Sequence, residues 1–184
     1  MKKSLFLVTV VLVMILSGCK SDMQKALGSM DDLESYTMLL TNYDVPIVGD
    51  VEMTIEIDGN ITSMNLIGLP FYTKTIDDEV FIYELQLDGS YDWSEEPQEG
   101  AEAFFYHHFL SANDFEEVDG EWHQTVDKIY VDEEEDNYMQ DAVVVLTDEG
   151  YIEILTFDLV ANDVVSAVEV EYSLFNETEI ELPE

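Results

Sequence analysis

Val51-Glu52-Met53-Thr54-Ile55-Glu56-Ile57-Asp58-Gly59, followed by Asn60-Ile61-Thr62-Ser63-Met64-Asn65-Leu66-Ile67, decides how the rest of the chain is read. Val51, Met53, Ile55 and Ile57 alternate with Glu52, Thr54 and Glu56. A period of two sends one set of side chains to a buried face and the other into water. Asp58-Gly59 stops the alternation, and a second extended run begins at Ile61. A DG pair between two such runs predicts a hairpin, because glycine accepts the positive φ that tight hairpin turns require.

The same device recurs along the chain. Residues 81–87 end at Asp88-Gly89 and precede Tyr91 and Trp93; Asp119-Gly120 divides 115–118 from 122–130. Asp148-Glu149-Gly150 divides 142–147 from 151–159, and Asn162-Asp163 divides that run from 164–174. Consecutive hairpins predict an antiparallel meander. Two segments carry a helical period instead. Ser21 and Gln24 have capping-box spacing, and Met23, Ala26, Leu27, Met30 and Leu33 then fall on one face of a short helix. Ser94-Glu95-Glu96-Pro97 reads as a second helix entrance, with a capping hydroxyl, first-turn acids and an early proline. Ala101, Phe104, Phe105, His108 and Phe109 then share one face. The expected fold is α+β, mostly antiparallel: a curved meander sheet with an N-terminal helix and a second helix covering one face.

Charge excludes several partners. The chain has 42 acidic residues against six lysines, no arginine, and a formal net charge of −36. Nucleic-acid binding needs a basic footprint to displace counterions, and flat docking on anionic headgroups needs one too. The acidic exterior suits an extracellular protein from a saline or cation-rich setting, or a cation-binding surface. With 47% apolar residues the chain can still build a core.

The N-terminus sets the location. Lys2 and Lys3 precede an apolar stretch at 5–15, too short for a spanning helix, and small residues lead to Cys19, the single cysteine. Leu16-Ser17-Gly18-Cys19 resembles the lipobox of bacterial lipoproteins. That resemblance implies a diacylglycerol on the Cys19 thiol, cleavage after Gly18, and an anchor in the cell membrane on its extracytoplasmic side. The division is then residues 1–18 as a cleaved signal peptide, 19–22 as lipidated cysteine and spacer, and 23–184 as one acidic β-rich domain. The mature chain keeps four lysines against 42 acids, a balance of −38.

Chemistry-bearing motifs are sparse. Serine nucleophile elbows, phosphate-cradling glycine loops and zinc motifs are absent, so no enzymatic activity and no cofactor are expected. His107 and His108 are adjacent and diverge by about 100° on a helix, which denies them a shared metal; His108, on the aromatic face, is expected to pack and hydrogen-bond. The acidic run 132–136 (DEEED) departs from the EF-hand order, with Asn137 where glycine would fall, so no metal site is assigned.

A short helix behind a lipid anchor, then a meander broken by a second apolar helix, is similar in layout to the LolA and LppX type of lipoprotein-carrier half-barrels. The tail Val168-Glu169-Val170-Glu171-Tyr172-Ser173-Leu174-Phe175-Asn176-Glu177, with Ile180-Glu181-Leu182-Pro183 beyond it, resembles the way those chains end. The resemblance implies a half-barrel wrapped round an apolar cavity, with Phe104, Phe105 and Phe109 on the lid and a lipid or other apolar ligand beneath. The contrasting reading is an acidic surface interaction or structural module that binds a basic partner or divalent cations.

Overall fold

The computed structural model describes residues 21–45, 49–66, 68–86, 89–98, 105–131, 137–162 and 164–183. Helix α1 spans Asp22–Asp31. It opens as its capping box predicts: the Ser21 hydroxyl accepts from the Gln24 backbone N–H at 3.1 Å, and Met23, Ala26 and Met30 are buried on one face.

The strands form one antiparallel sheet of twelve. In the first half they are β1 (Ser35–Val45), β2 (Gly49–Asp58), β3 (Ile61–Leu66), β4 (Leu69–Ile76), β5 (Glu79–Leu85) and β6 (Tyr91–Trp93). In the second they are β7 (Phe115–Val118), β8 (Glu121–Gln124), β9 (Ile129–Tyr130), β10 (Tyr138–Leu146), β11 (Ile152–Ala161) and β12 (Val164–Ser173). The spatial order is β6-β5-β4-β3-β2-β1-β12-β11-β10-β8-β7, with β9 also on β10. Two meanders thus join where β1 pairs with β12, and the sheet is not closed into a barrel. Its ends are short, and β7 exposes Glu116 and Glu117, charges that discourage pairing with another chain.

The hairpins follow turn chemistry. Asp58 pairs with Ile61, so the two loop residues are Gly59 and Asn60, one position later than the DG pair suggests, and Gly59 takes φ 59°. Asp77 and Asp78 adopt φ 51° and 67° between Ile76 and Glu79, the double positive φ of a mirror-image hairpin turn without any glycine.

Cross-strand partners share a face, and the register defines an inner one. Met38 lies between Ile55 and Tyr172, and Leu40 between Met53 and Val170. Leu155 lies between Val170 and Val144, and Val168 opposite Phe157. Met23, Ala26 and Met30 of α1 belong to the same core.

Two expectations meet corrections, and the tail takes a position of its own. Residues 122–130 are not one strand. Asp141, at φ 54°, begins a bulge in β10; the Gln124 side chain accepts from the Ala142 N–H there (2.9 Å) and donates to Val126 O (2.8 Å), splitting β8 from β9. The second helix is absent over its described part. Ser94 bonds along β5 instead of capping a helix: its N–H donates to Ile82 O (2.8 Å) and its hydroxyl accepts from the Ile82 N–H (3.2 Å). Gln98 N–H continues the contact to Val80 O at 2.8 Å. Beyond it stand two 3-10 turns, Tyr106–Phe109 and Ala112–Asp114. Ala101 and Phe104 lie outside the described residues. The tail, lastly, lies across the sheet. Asn176 N–H donates to Ser35 O, the hydroxyls of Thr178 and Thr37 meet at 3.0 Å, Ile180 N–H donates to Asp58 Oδ2, and the Tyr83 hydroxyl donates to Pro183 O. It straps the outer face of β1, β2 and β5.

Candidate functional site

The inner face and the α1 side chains packed on it carry several methionines among Val, Ile, Leu and aromatic residues. Met23, Met30, Met38 and Met139 are among the largest fully buried side chains, and Met53 and Met64 pack against them half-buried. The face then continues along the register: Met53 opposite Leu66, Met64 opposite Phe71, and Leu66 opposite Leu69. There it is open to solvent, with Leu69 75% exposed and Leu66 and Phe71 also exposed.

Residues 105–112 cover the middle of this face. Tyr106 packs on Phe157 with ring centroids 4.7 Å apart, and Phe105 and Phe109 are half-buried against the core. His107 points inward and is only 2% exposed. It meets Tyr36 and Tyr172 edge-on at 6.0 and 5.5 Å, and its Nδ1 lies 3.1 Å from the Tyr172 hydroxyl. His108, expected to be the packed histidine, is exposed. The 3-10 turn explains the exchange, since three residues per turn present a different side chain to the sheet than an α-helix would.

Nδ1 and the Tyr172 hydroxyl share one hydrogen bond, in which the neutral ring donates or accepts according to its tautomer. Nε2 is buried and has no hydrogen-bond partner among the described residues. A buried polar atom costs about 1–3 kcal/mol when left unsatisfied. Asn42 Oδ1, on the same face opposite Val168, is likewise buried without a partner.

Burial makes all three groups hold their neutral forms. It pushes the His107 imidazole down to about 3, with His108 adding to the effect. It pushes Tyr36 up to about 12, with Asp31 second, and raises Tyr172 further, with Tyr36 second.

Surface clefts are of another kind. One of about 580 Å³ beside α1 is lined by Asp22, Lys25, Glu117, Trp122 and Asp148. Another of about 700 Å³ beside β5 and β6 is lined by Glu84, Asp92, Trp93, Glu95 and Glu96. Both are open and acidic. Among the described residues, no group of three or more His, Cys, Asp or Glu could hold a metal ion, and no helix is long and apolar enough to cross a membrane. Cys19, Phe104 and the run 132–136 lie outside the described residues. His123 is half-buried, with Nε2 3.4 Å from Glu121 Oε2. His107, the group at the centre of the inner face, carries no distinguishing signal in the sequence beyond its place in an aromatic run. No protein-family model matches the sequence, and comparison with curated proteins finds no match either.

Proposed function

We propose that the chain is an exported, non-enzymatic lipoprotein, tethered through Cys19 to the extracytoplasmic face of the cell membrane, that binds a lipid or other apolar ligand between the inner face of its sheet and residues 105–112. A half-barrel curvature about that face, and a lid role for Phe104, Phe105 and Phe109, belong to the same proposal. The observation that carries it is the inner face: a methionine-lined surface that runs from under a short cover to the exposed Leu66, Leu69 and Phe71. Methionine has an unbranched, polarisable side chain that repacks round ligands of varied shape. A contiguous exposed apolar patch on so acidic a protein marks a place where something docks.

Native mass spectrometry of the full chain, isolated from a lipid-containing host, tests the ligand. An added mass that organic extraction removes is expected. A clean apo mass with no extractable lipid would count against carriage. The tether is tested by Cys19→Ser, which should move the protein out of the membrane fraction.

The acid-lined clefts favour a second reading, a surface module for a basic partner or divalent cations. Its binding would weaken steeply with salt, whereas apolar binding on the inner face would hardly change.

A further inference from the structure

His107 is a titratable group sealed into an apolar interface, and among the described residues no opposite charge is recorded beside it. The titratable groups around it are Tyr36 from β1, Tyr172 from β12 and His108 from its own turn; Asp31, at the end of α1, acts on Tyr36. The ion pair of Lys25 with Asp22 and the contact of His123 with Glu121 both lie away from it. The Tyr172 hydroxyl, as donor or acceptor, partners one ring nitrogen, Nδ1. The imidazolium needs acceptors for two N–H groups, and at buried Nε2 no acceptor stands among the described residues.

We propose that residues 105–112 are an acid-released cover: on acidification His107 takes up a proton, leaves its pocket between Tyr36 and Tyr172, and carries Phe105, Tyr106 and Phe109 off the methionine-lined face. This regulation rests on the apolar-ligand reading of that face. Neutral pH keeps the cover down over the ligand, and acid opens it. The cover suits release because its first 3-10 turn is short, with His108 N–H bonded to Phe105 O and Leu110 N–H to His107 O, and the His107 ring links it to β12. The second turn, held to Thr125 through Asp114 O, stays behind as the hinge.

Hydrogen–deuterium exchange of the full chain in zwitterionic nanodiscs reads the event, with β11 as an internal reference and rates corrected for intrinsic pH dependence. With the imidazole near 3 when docked and 6.5 when released, protection of 105–112 relative to β11 should fall by about 70-fold between pH 7 and pH 4.5. His107→Phe keeps the ring volume and cannot be protonated, and should abolish the fall. His107→Asn, a smaller neutral group, should abolish it too and serves if the phenylalanine variant does not fold. Unchanged protection at pH 4.5 overturns the inference, as does loss of protection in β11 in step with the cover. A fall that persists in both variants overturns it equally. Acid release in a chain whose native mass shows no lipid would support the cover and overturn the apolar-ligand reading alone.

Discussion

The tail strap gives a prediction that can be worked from single atoms. Thr178 is 5% exposed, and its hydroxyl both meets the Thr37 hydroxyl at 3.0 Å and donates to Leu174 O at 3.3 Å. Thr178→Val keeps the shape, removes both bonds, and leaves the half-buried Thr37 hydroxyl without its partner. Two neutral hydrogen bonds at about 0.5–1.5 kcal/mol each predict a loss of about 1–2 kcal/mol. Thr37→Val alone should cost about 1 kcal/mol for the same reason. The double variant puts two methyl groups together where two hydroxyls met, and removing both partners of a bond is far cheaper than removing one. The singles should therefore fail to add, with a coupling of about 1 kcal/mol. Urea unfolding reads this directly. At a slope of about 2 kcal/mol/M, Thr178→Val should lower the midpoint by about 0.5–1 M, with the slope unchanged. An unmoved midpoint, or strict additivity in the double variant, would mean that the tail does not lie on β1.

Three further outcomes test other parts of the structure. Leu155 is 0% exposed between β10 and β12, so Leu155→Ala should cost about 3–5 kcal/mol and lower the calorimetric Tm by roughly 10 °C. Leu174 is held at φ 52° and is 52% exposed; Leu174→Gly should raise stability by about 0.5–1 kcal/mol in the same assay, since the left-handed backbone no longer strains a side chain. Tyr36 keeps its proton up to about 12, and a raised value adds stability that is whole below pH 10 and disappears as pH rises through 12. That contribution is on the order of 3 kcal/mol. Phenolate absorbance should show Tyr36 and Tyr172 ionising only as the fold is lost, and Tyr36→Phe should flatten the alkaline decline in stability.

The hairpins were legible because their signal is local. Asp58-Gly59 and Asp119-Gly120 announce a positive φ next to an alternating run, and strands stand on either side of both. β4 went unread because its turn is Asp77-Asp78, where two aspartates reach φ 51° and 67° without glycine, and because Pro70 interrupts its opening. β1 escaped for a different reason. Leu39 and Leu40 stand side by side and break the period of two, yet each has work to do. Leu40 faces the core, and Leu39 is half-buried on the outer face. A strand between β2 and β12, with a tail across one side of it, need not alternate.

The candidate site was legible in its composition and illegible in its geometry. The aromatic run 104–109 fits a helical period, and nothing within it reveals that Ser94 is engaged by β5 rather than capping a helix. Once that hydroxyl is taken, the chain reaches the inner face as a 3-10 turn, and His107 rather than His108 goes inward. Its partners, Tyr36 and Tyr172, come from opposite ends of the chain and meet only because β1 and β12 pair. The same pairing gathers Met38 and Met139 on one surface. Charge follows from this layout. The carboxylates of β2 and β12, Glu52, Glu56, Glu169 and Glu171, alternate with the core residues and so point to the outer face. In a chain with 42 acidic residues, an imidazole on the inner face thereby finds no carboxylate among the described core residues to support a proton. Moving one would show it: Met38→Glu sets a carboxylate on the strand position two residues from Tyr36, and if the fold persists it should raise the His107 pKa and shift release of the cover toward neutral pH.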